Sequence, residues 1–184
     1  QGVLGAIQAE QVTSALLVPT MIQMVIDHPS LKDHDTRSLR DVAYGASPIS
    51  EGVMNRALAA LPGARFTQAY GMTELSPCAT FLPPWYHTAE GRGAGKIRSA
   101  GRAASACEVR ITDPDDREVP RGTVREVCVR GPGVMQGYWN QPELTAQALR
   151  GGWMHTGDAA YMDEDGFVFI VDRVKDMIVT GGEN

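Results

Sequence analysis

The sequence of 184 residues predicts an α/β fold joined to a small, mostly β subdomain. Over roughly the first 85 residues, short apolar runs alternate with amphipathic segments, which is typical of parallel strands covered by helices. After Gly101 the pattern changes to short alternating runs separated by turn residues, which is typical of antiparallel strands. The two patterns therefore predict two sheets of different kinds.

The first part is expected to contain three strands, at residues 15–18, 41–44 and 65–69. Pro19 ends the first strand, and a helix is predicted from Met21 to Ile26. Ser50 is a suitable N-cap for a second helix, whose apolar residues Val53, Ala57, Leu58 and Leu61 share one face. This alternation predicts a parallel sheet.

Residues 83–100 lose the pattern and are predicted as a loop, because prolines and glycines interrupt them. Beyond this loop, strands are expected at residues 109–111 and 127–130, a helix from Pro142 to about residue 149, and a hairpin formed by residues 159–161 and 167–170. We expect three units: an α/β part at 1–97, a β-rich part at 98–171, and a hinge with the start of another domain at 172–184.

Composition excludes several classes of function. The formal net charge of −5 argues against a nucleic-acid partner, and no apolar run reaches membrane-spanning length. The odd number of cysteines, without a CxxC pair, predicts free thiols and a cytoplasmic protein; they are Cys78, Cys107 and Cys128. The histidines lack metal-ligand spacing and are expected on the surface or in loops; they are His28, His34, His87 and His155.

Residues 68–74 form the strongest local motif, because they follow a predicted parallel strand and ligands bind beyond the carboxyl ends of such strands. Gly71 would let a ligand approach the backbone closely. Tyr70 offers a flat face for a base, Thr73 a hydroxyl group, and Glu74 an oxygen ligand for Mg²⁺. An ordinary turn at the end of a strand is the alternative interpretation.

Two further segments gain meaning from their order in the chain. Asp158, which follows Trp153 in a tight turn, could accept hydrogen bonds from both hydroxyls of a ribose, although a surface turn would have the same composition. Residues 172–176 are rich in charge and residues 180–184 contain paired glycines, which alone would indicate a solvated turn and a flexible loop.

Taken in order, these motifs resemble the adenylate-forming, AMP-binding superfamily, which includes acyl-CoA and aryl-CoA synthetases, peptide-synthetase adenylation domains and luciferases. Residues 18–20, 44–48 and 137–138 also fall in family order, so the resemblance covers essentially the whole chain. It implies the C-terminal part of the large N-terminal domain of an adenylate-forming enzyme, ending at the hinge.

The resemblance also implies roles for individual residues. Glu74 matches the Mg²⁺ ligand and Thr73 a contact to the α-phosphate; these two are the candidate catalytic residues. Asp158 and Arg173 match residues that bind the ribose. The other residues implied in nucleotide binding are Gly45, Ala46, Ser47, Gln68, Ala69, Tyr70, Gly71 and Met72. Lys175 falls at the hinge position, and Gly181 and Gly182 resemble the loop that lines the pantetheine tunnel of CoA.

The implied activity is that of an ATP-dependent acid–CoA ligase, which forms an acyl-adenylate with ATP and Mg²⁺ and then a thioester with CoA. Met72 favours the CoA-ligase branch. A medium or long fatty acid is the preferred substrate, and aromatic acids remain an alternative. The candidate residues for the acyl pocket are Tyr44, Ala46, Met72 and Met21. For Met21, a position in the core is the preferred interpretation. The alternatives are an enzyme that loads a carrier protein and a catalytically inert nucleotide-binding module.

The family's phosphate loop, with its lysine, and its C-terminal domain, with the adenylation lysine, are absent from residues 1–184. The resemblance therefore predicts that residues 1–184 are an internal fragment that cannot make acyl-CoA alone.

Overall fold

The computed structural model describes residues 2–47 and 49–173. The helices in these ranges are α1 (Gly2–Ala9), α2 (Pro19–Ile26), α3 (Glu51–Ala60), α4 (Ala89–Arg92) and α5 (Pro142–Ala148). The strands are β1 (Ser14–Leu17), β2 (Asp41–Gly45), β3 (Arg65–Tyr70), β4 (Thr80–Leu82), β5 (Arg102–Ala103), β6 (Glu108–Thr112), β7 (Arg125–Arg130), β8 (Met154–Met162) and β9 (Val168–Arg173).

The first sheet has the strand order β1-β2-β3-β4-β5. Strands β1, β2 and β3 run parallel, as predicted, whereas β4 and β5 add to the sheet antiparallel. Pro19 occupies the first turn of α2, and the Ser50 hydroxyl accepts a hydrogen bond from the Val53 amide at 3.2 Å, which confirms the predicted N-cap of α3. The core beneath this sheet includes the buried side chains of Ile22, Val42, Tyr44, Met54 and Phe66.

The second sheet is antiparallel throughout, in the order β6-β7-β8-β9, which confirms the predicted β-rich part. Its core contains Ile111, Val127, Val129, Met154 and Val168. The two sheets change over between Ala103 and Glu108, and the unit boundary expected after residue 97 stays a prediction.

The two sheets pack against one another through the loop after β4. The Ala100 amide donates to the Val168 carbonyl at 2.7 Å, and the Lys96 ammonium reaches the carboxylates of Asp163 and Asp165 at 2.6 and 2.8 Å. The Phe167 ring meets the edge of Tyr86 at 5.1 Å. These contacts fix the loop after β4 against the turn between β8 and β9 and the start of β9.

Several sequence-based expectations differ from the structure. Residues 83–100 contain a 3₁₀ turn (Pro84–His87) and the short helix α4, because the Thr88 hydroxyl accepts from the Gly91 amide at 3.0 Å and so caps a helical turn. Helix α1 and strands β4 and β5 were not predicted. Met21 was expected in the core but is 39% exposed. It lines a small surface pocket together with Val3 and Leu4 of α1.

Two histidines expected on the surface or in loops are buried: His87 is 1% exposed and His155 is 7% exposed. All three cysteines have free thiols, as expected. Within residues 2–47 and 49–173, none of the helices combines the length and the apolar character needed to cross a bilayer.

Candidate active site

The two nucleotide motifs predicted from the sequence meet in the structure. Tyr70 ends β3 in the first sheet, and Asp158 lies within β8 of the second sheet. The Tyr70 hydroxyl donates a hydrogen bond to Oδ2 of Asp158 at 2.6 Å, although the residues are 88 positions apart. Asp158 is only 4% exposed, so its carboxylate lies at the junction between the sheets rather than in a surface turn.

Thr73 and Glu74 lie directly beyond the carboxyl end of β3, in a 3₁₀ turn (Thr73–Leu75). Leu75 is buried and anchors this turn in the second core, which leaves Thr73 exposed and Glu74 partly exposed. A hydroxyl and a carboxylate at the solvent edge of a parallel sheet are positioned to meet a charged ligand.

A loop of the second sheet, residues 131–138, crosses over this turn; we call it the crossing loop. The Met135 amide donates to the Glu74 carbonyl at 2.8 Å, and the Tyr138 hydroxyl donates to Oε1 of Glu74, also at 2.8 Å. A Cβ at Gly133 would stand 2.9 Å from the Leu75 carbonyl oxygen, so the backbones touch here. Partial burial, followed by the bond to Glu74, raises the pKa of Tyr138 to about 12. The tyrosine therefore stays a hydrogen-bond donor at neutral pH.

The two glycines of the site are required by the packing of the protein itself. A Cβ at Gly45 would stand 2.3 Å from the Ala69 carbonyl oxygen, and one at Gly71 would stand 2.1 Å from that of Pro77. The space that a Cβ of residue 71 would need is thus filled by a neighbouring loop, and the close approach of a ligand to the Gly71 backbone stays a prediction. Ala46 follows Gly45 with a φ of 66°, and Ser47 continues the same bend.

A buried tyrosine–histidine pair supports the ends of β2 and β3 from below. The Tyr44 hydroxyl lies 2.9 Å from Nε2 of His87 and 3.5 Å from Oε1 of Gln68. The Pro83 carbonyl lies 3.2 Å from Nδ1 of His87, so Nδ1 carries the proton and Nε2 accepts from Tyr44. Burial lowers the pKa of His87 to about 4, and burial also raises the pKa of Tyr44 well above its usual range. Tyr44 is fully buried and does not border an open acyl pocket.

Three potential metal ligands lie together on the second sheet. Single donor atoms of Glu126, Cys128 and His155 are all within 4.8 Å of one another. Burial raises the pKa of the Cys128 thiol to about 11, so it is protonated at neutral pH. The Arg150 guanidinium lies 3.2 Å from Oε2 of Glu126, where it supplies the positive charge that a cation would bring. The three side chains form a hydrogen-bonded network, which Arg150 joins through Glu126.

The remaining predicted residues are described in part. Arg173 is the register partner of Asp158 in the β8–β9 pair, so the backbone brings the two ribose candidates opposite one another. Lys175, Gly181 and Gly182 lie outside the described residues. Residues that sequence reasoning did not assign to the site are Glu126, Tyr138 and His87. Only Tyr138 carried a signal, because it belongs to the motif at residues 137–138.

Comparison with known proteins identifies the family. A sequence model of the AMP-binding enzyme family matches residues 1–139, which is more than half of the chain. The chain therefore belongs to the AMP-binding enzyme family, as its motifs predicted.

Individual relatives agree with this membership. The chain is 44% identical, over 182 residues, to a feruloyl-CoA synthase of Amycolatopsis sp, covering 99% of this chain and 35% of the relative. It is 43% identical to the fatty acid–(acyl-carrier-protein) ligase ScoC of Streptomyces coeruleorubidus, covering 94% and 33%. The structure of the amide bond synthetase McbA from Marinactinospora thermotolerans matches with a TM-score of 0.88 at 36% identity, covering 99% of this chain and 36% of McbA. The chain spans about one third of the length of these relatives.

The donor set at the site fits the groups that the family implies. Glu74 and Thr73 offer only oxygen atoms, which suits Mg²⁺ and its preference for hard ligands. Asp158 offers a carboxylate that can accept hydrogen bonds from sugar hydroxyls. The Tyr70 hydroxyl bond to Asp158 fixes the phenol ring at the same junction. Residues from both sheets thus contribute oxygen donors and acceptors of the kinds that a magnesium nucleotide requires.

Proposed function

We propose that the protein is an ATP-dependent acid–CoA ligase that activates a carboxylic acid as an acyl-adenylate and transfers the acyl group to CoA. The observation that carries this proposal is the 2.6 Å hydrogen bond between Tyr70 and Asp158, which joins two nucleotide motifs from different sheets beside Glu74. Several relatives are named as CoA ligases or synthases, which supports the same chemistry.

In this proposal the protein acts mainly by positioning the reactants. Asp158 accepts hydrogen bonds from the ribose, and Tyr70 presents its ring to the adenine. With the nucleoside held at two points, the α-phosphate faces the carboxylate that attacks it, and restricting that geometry lowers the entropic part of the barrier. Thr73 donates to an α-phosphate oxygen, which stabilises charge that develops during the attack.

Glu74 would hold Mg²⁺, and the bound ion would offset the negative charge of the phosphates. The carboxylate of Glu74 keeps its orientation because Tyr138 donates to one of its oxygens at 2.8 Å. Such an outer hydrogen bond fixes which lone pairs face the cation. The attack by one anion on another needs this charge compensation more than it needs a base.

The test uses the full-length protein with Mg²⁺-ATP and a panel of aliphatic and aromatic acids, with and without CoA, and follows the products by mass spectrometry. The expected result is a CoA thioester from one class of acid, with release of pyrophosphate and AMP. We expect the Asp158→Asn variant to lose most of this activity. Failure to form any adenylate or thioester would overturn the proposal. The same panel decides between fatty and aromatic acids, since the names of the relatives include both kinds.

A second candidate is transfer of the acyl group to a carrier protein. The specific observation in its favour is the 43% identity to a ligase named for an acyl-carrier-protein acceptor. In the same assay, adenylate and pyrophosphate without a CoA thioester would replace the first proposal by this one. Addition of a phosphopantetheinylated carrier protein should then yield the acylated carrier.

A further inference from the structure

The turn that presents Asp158 is a bulge in the second sheet. Across β7 and β8, Glu126 pairs with Ala159, whereas Cys128 pairs with His155. One residue of β7 is therefore matched by three residues of β8, at positions 156–158. Gly157 adopts a φ of 73°, which allows the strand to bend out at this point. The conformation of the bulge decides where the Asp158 carboxylate points.

The carboxylate of Glu126 holds both sides of this bulge. Its Oε1 accepts a hydrogen bond from the Gly157 amide at 3.0 Å, and its Oε2 accepts from Nδ1 of His155 at 2.9 Å. The two extra residues in β8 lack regular ladder partners, so a side-chain acceptor for the Gly157 amide replaces the missing backbone carbonyl. Glu126 thus holds the residue just before the bulge, His155, and the centre of the bulge, Gly157.

Thr156 completes the arrangement from the opposite side. Its hydroxyl donates to the Val127 carbonyl at 2.9 Å and accepts from the Asp158 amide at 3.1 Å. The backbone on both sides of Gly157 is therefore bonded to β7 or to its own side chains. With its amide held in this way, Asp158 directs its carboxylate toward the Tyr70 hydroxyl, which donates to Oδ2 at 2.6 Å.

The glutamate itself is anchored by charge. The Arg150 guanidinium lies 3.2 Å from Oε2 of Glu126 and 3.1 Å from Oδ1 of Asp116. The same Asp116 oxygen lies 3.5 Å from Nε2 of His155. Hydrogen bonds between ionised partners are stronger and more directional than neutral ones. The network therefore fixes Glu126 as a preformed support beneath the bulge.

We propose that Glu126 is a positioning residue for nucleotide binding, which sets the Asp158 carboxylate for the ribose hydroxyls through the bulge at residues 156–158. The inference rests on the proposed function, because it takes Asp158 as the ribose ligand. The Glu126 carboxylate bonds to His155 and to the Gly157 amide, so its effect on Asp158 passes through the backbone of the bulge.

The test measures how well the full-length protein distinguishes ATP from 2′,3′-dideoxy-ATP, by calorimetric titration of each nucleotide. Wild-type protein should bind ATP at least about tenfold more tightly, because the ribose hydroxyls of ATP can donate to the Asp158 carboxylate and dideoxy-ATP lacks them. The Asp158→Asn variant should lose most of this preference. If wild-type protein binds both nucleotides equally, the ribose role of Asp158 fails and the proposed function loses its support.

The Glu126→Gln variant tests the inference itself. Glutamine keeps one oxygen, so it cannot accept from both the Gly157 amide and His155; the preference for ATP should fall about tenfold, as in Asp158→Asn. The double variant should show little further loss, because both changes act on one interaction. A merely structural role would weaken binding of both nucleotides equally and leave the preference intact, and that result overturns the inference while the proposed function stands.

Two further variants complete the design. Glu108→Gln is the matched control, because Glu108 is also an ion-paired glutamate and lies on the neighbouring strand β6, bonded to Arg130 at 2.6 Å. In this variant the preference for ATP over dideoxy-ATP should stay at the wild-type value. Gly157→Ala decides the question if Glu126→Gln does not fold: a Cβ there meets no atom within 4 Å, yet the φ of 73° disfavours alanine. Loss of the preference in Gly157→Ala supports the inference, and an unchanged preference overturns it.

Discussion

Acidification should destabilise this protein through one buried histidine. His87 is 1% exposed, and its Nε2 accepts a hydrogen bond from the Tyr44 hydroxyl at 2.9 Å. Burial is the main cause that lowers the pKa of His87 from 6.5 to about 4. The hydrogen bond to the Pro83 carbonyl acts to raise this pKa, whereas the nearby Arg92 charge lowers it further. The folded protein therefore keeps His87 neutral at pH values where the unfolded chain would protonate it.

The sign and size of the effect follow from linkage. Because the folded pKa is lowered, the contribution to stability is fully present above pH 6.5 and is lost as pH falls from 6.5 toward 4. Each pKa unit corresponds to about 1.4 kcal/mol, so the loss reaches about 2 kcal/mol near pH 5 and about 3 kcal/mol below pH 4. For a domain of this size, a loss of about 2 kcal/mol lowers Tm by roughly 4–8 °C.

The assay is thermal unfolding of the full-length protein at about pH 7.5 and pH 5, compared among wild type and two variants. His87→Phe removes the titrating group and leaves the Tyr44 hydroxyl with the longer, 3.5 Å contact to Oε1 of Gln68. The variant should therefore be less stable by about 1–3 kcal/mol at neutral pH but lose less stability on acidification. Tyr44→Phe keeps the buried imidazole and should lose about as much as wild type. Equal losses in wild type and His87→Phe would refute the reasoning.

Two further predictions concern the site. Gly71→Ala should destabilise the protein by several kcal/mol, because the new Cβ would stand 2.1 Å from a backbone oxygen. Gly63→Ala is the control, because a Cβ there meets no atom within 4 Å. Denaturant titrations should show Gly63→Ala unfolding like wild type and Gly71→Ala at a lower denaturant concentration. Tyr138→Phe removes the 2.8 Å bond to Glu74 and should raise the Mg²⁺ concentration for half-maximal activity about tenfold, with little change in Tm. The control for this variant is Tyr161→Phe, because the Tyr161 ring stacks on Phe169 in the second sheet. An unchanged Mg²⁺ dependence in Tyr138→Phe would contradict the proposed role of Tyr138.

The sequence predicted the local elements of the fold well. Pro19, Ser50 and the turn at residues 163–166 each act on their immediate neighbours, so their effects can be inferred from short segments. Strands β4 and β5 were not predicted, because they are short and are stabilised by pairing with other strands of the sheet. A three-residue or two-residue run carries too little pattern to distinguish a strand from a loop.

The site was predictable as motifs but not as an arrangement. Tyr70 and Asp158 were each identified, yet nothing local indicates that a hydroxyl and a carboxylate 88 positions apart share a hydrogen bond. His87 stands in an aromatic, proline-rich stretch, and its burial depends on Tyr44, which lies on another strand. Glu126 looks like any polar residue alternating along a strand. Its importance arises only from the shift of register between β7 and β8.

The site is built across the junction of the two sheets, and this placement has an energetic consequence. Tyr70 and Glu74 belong to the first sheet and the turn beyond it, whereas Asp158 and Tyr138 come from the second sheet and the crossing loop. The two hydrogen bonds between them, at 2.6 and 2.8 Å, cross the same junction. A displacement of one sheet relative to the other would lengthen both bonds together. The proposed nucleotide and metal contacts would therefore be coupled through the packing of the sheets, so that a change within one sheet would affect both.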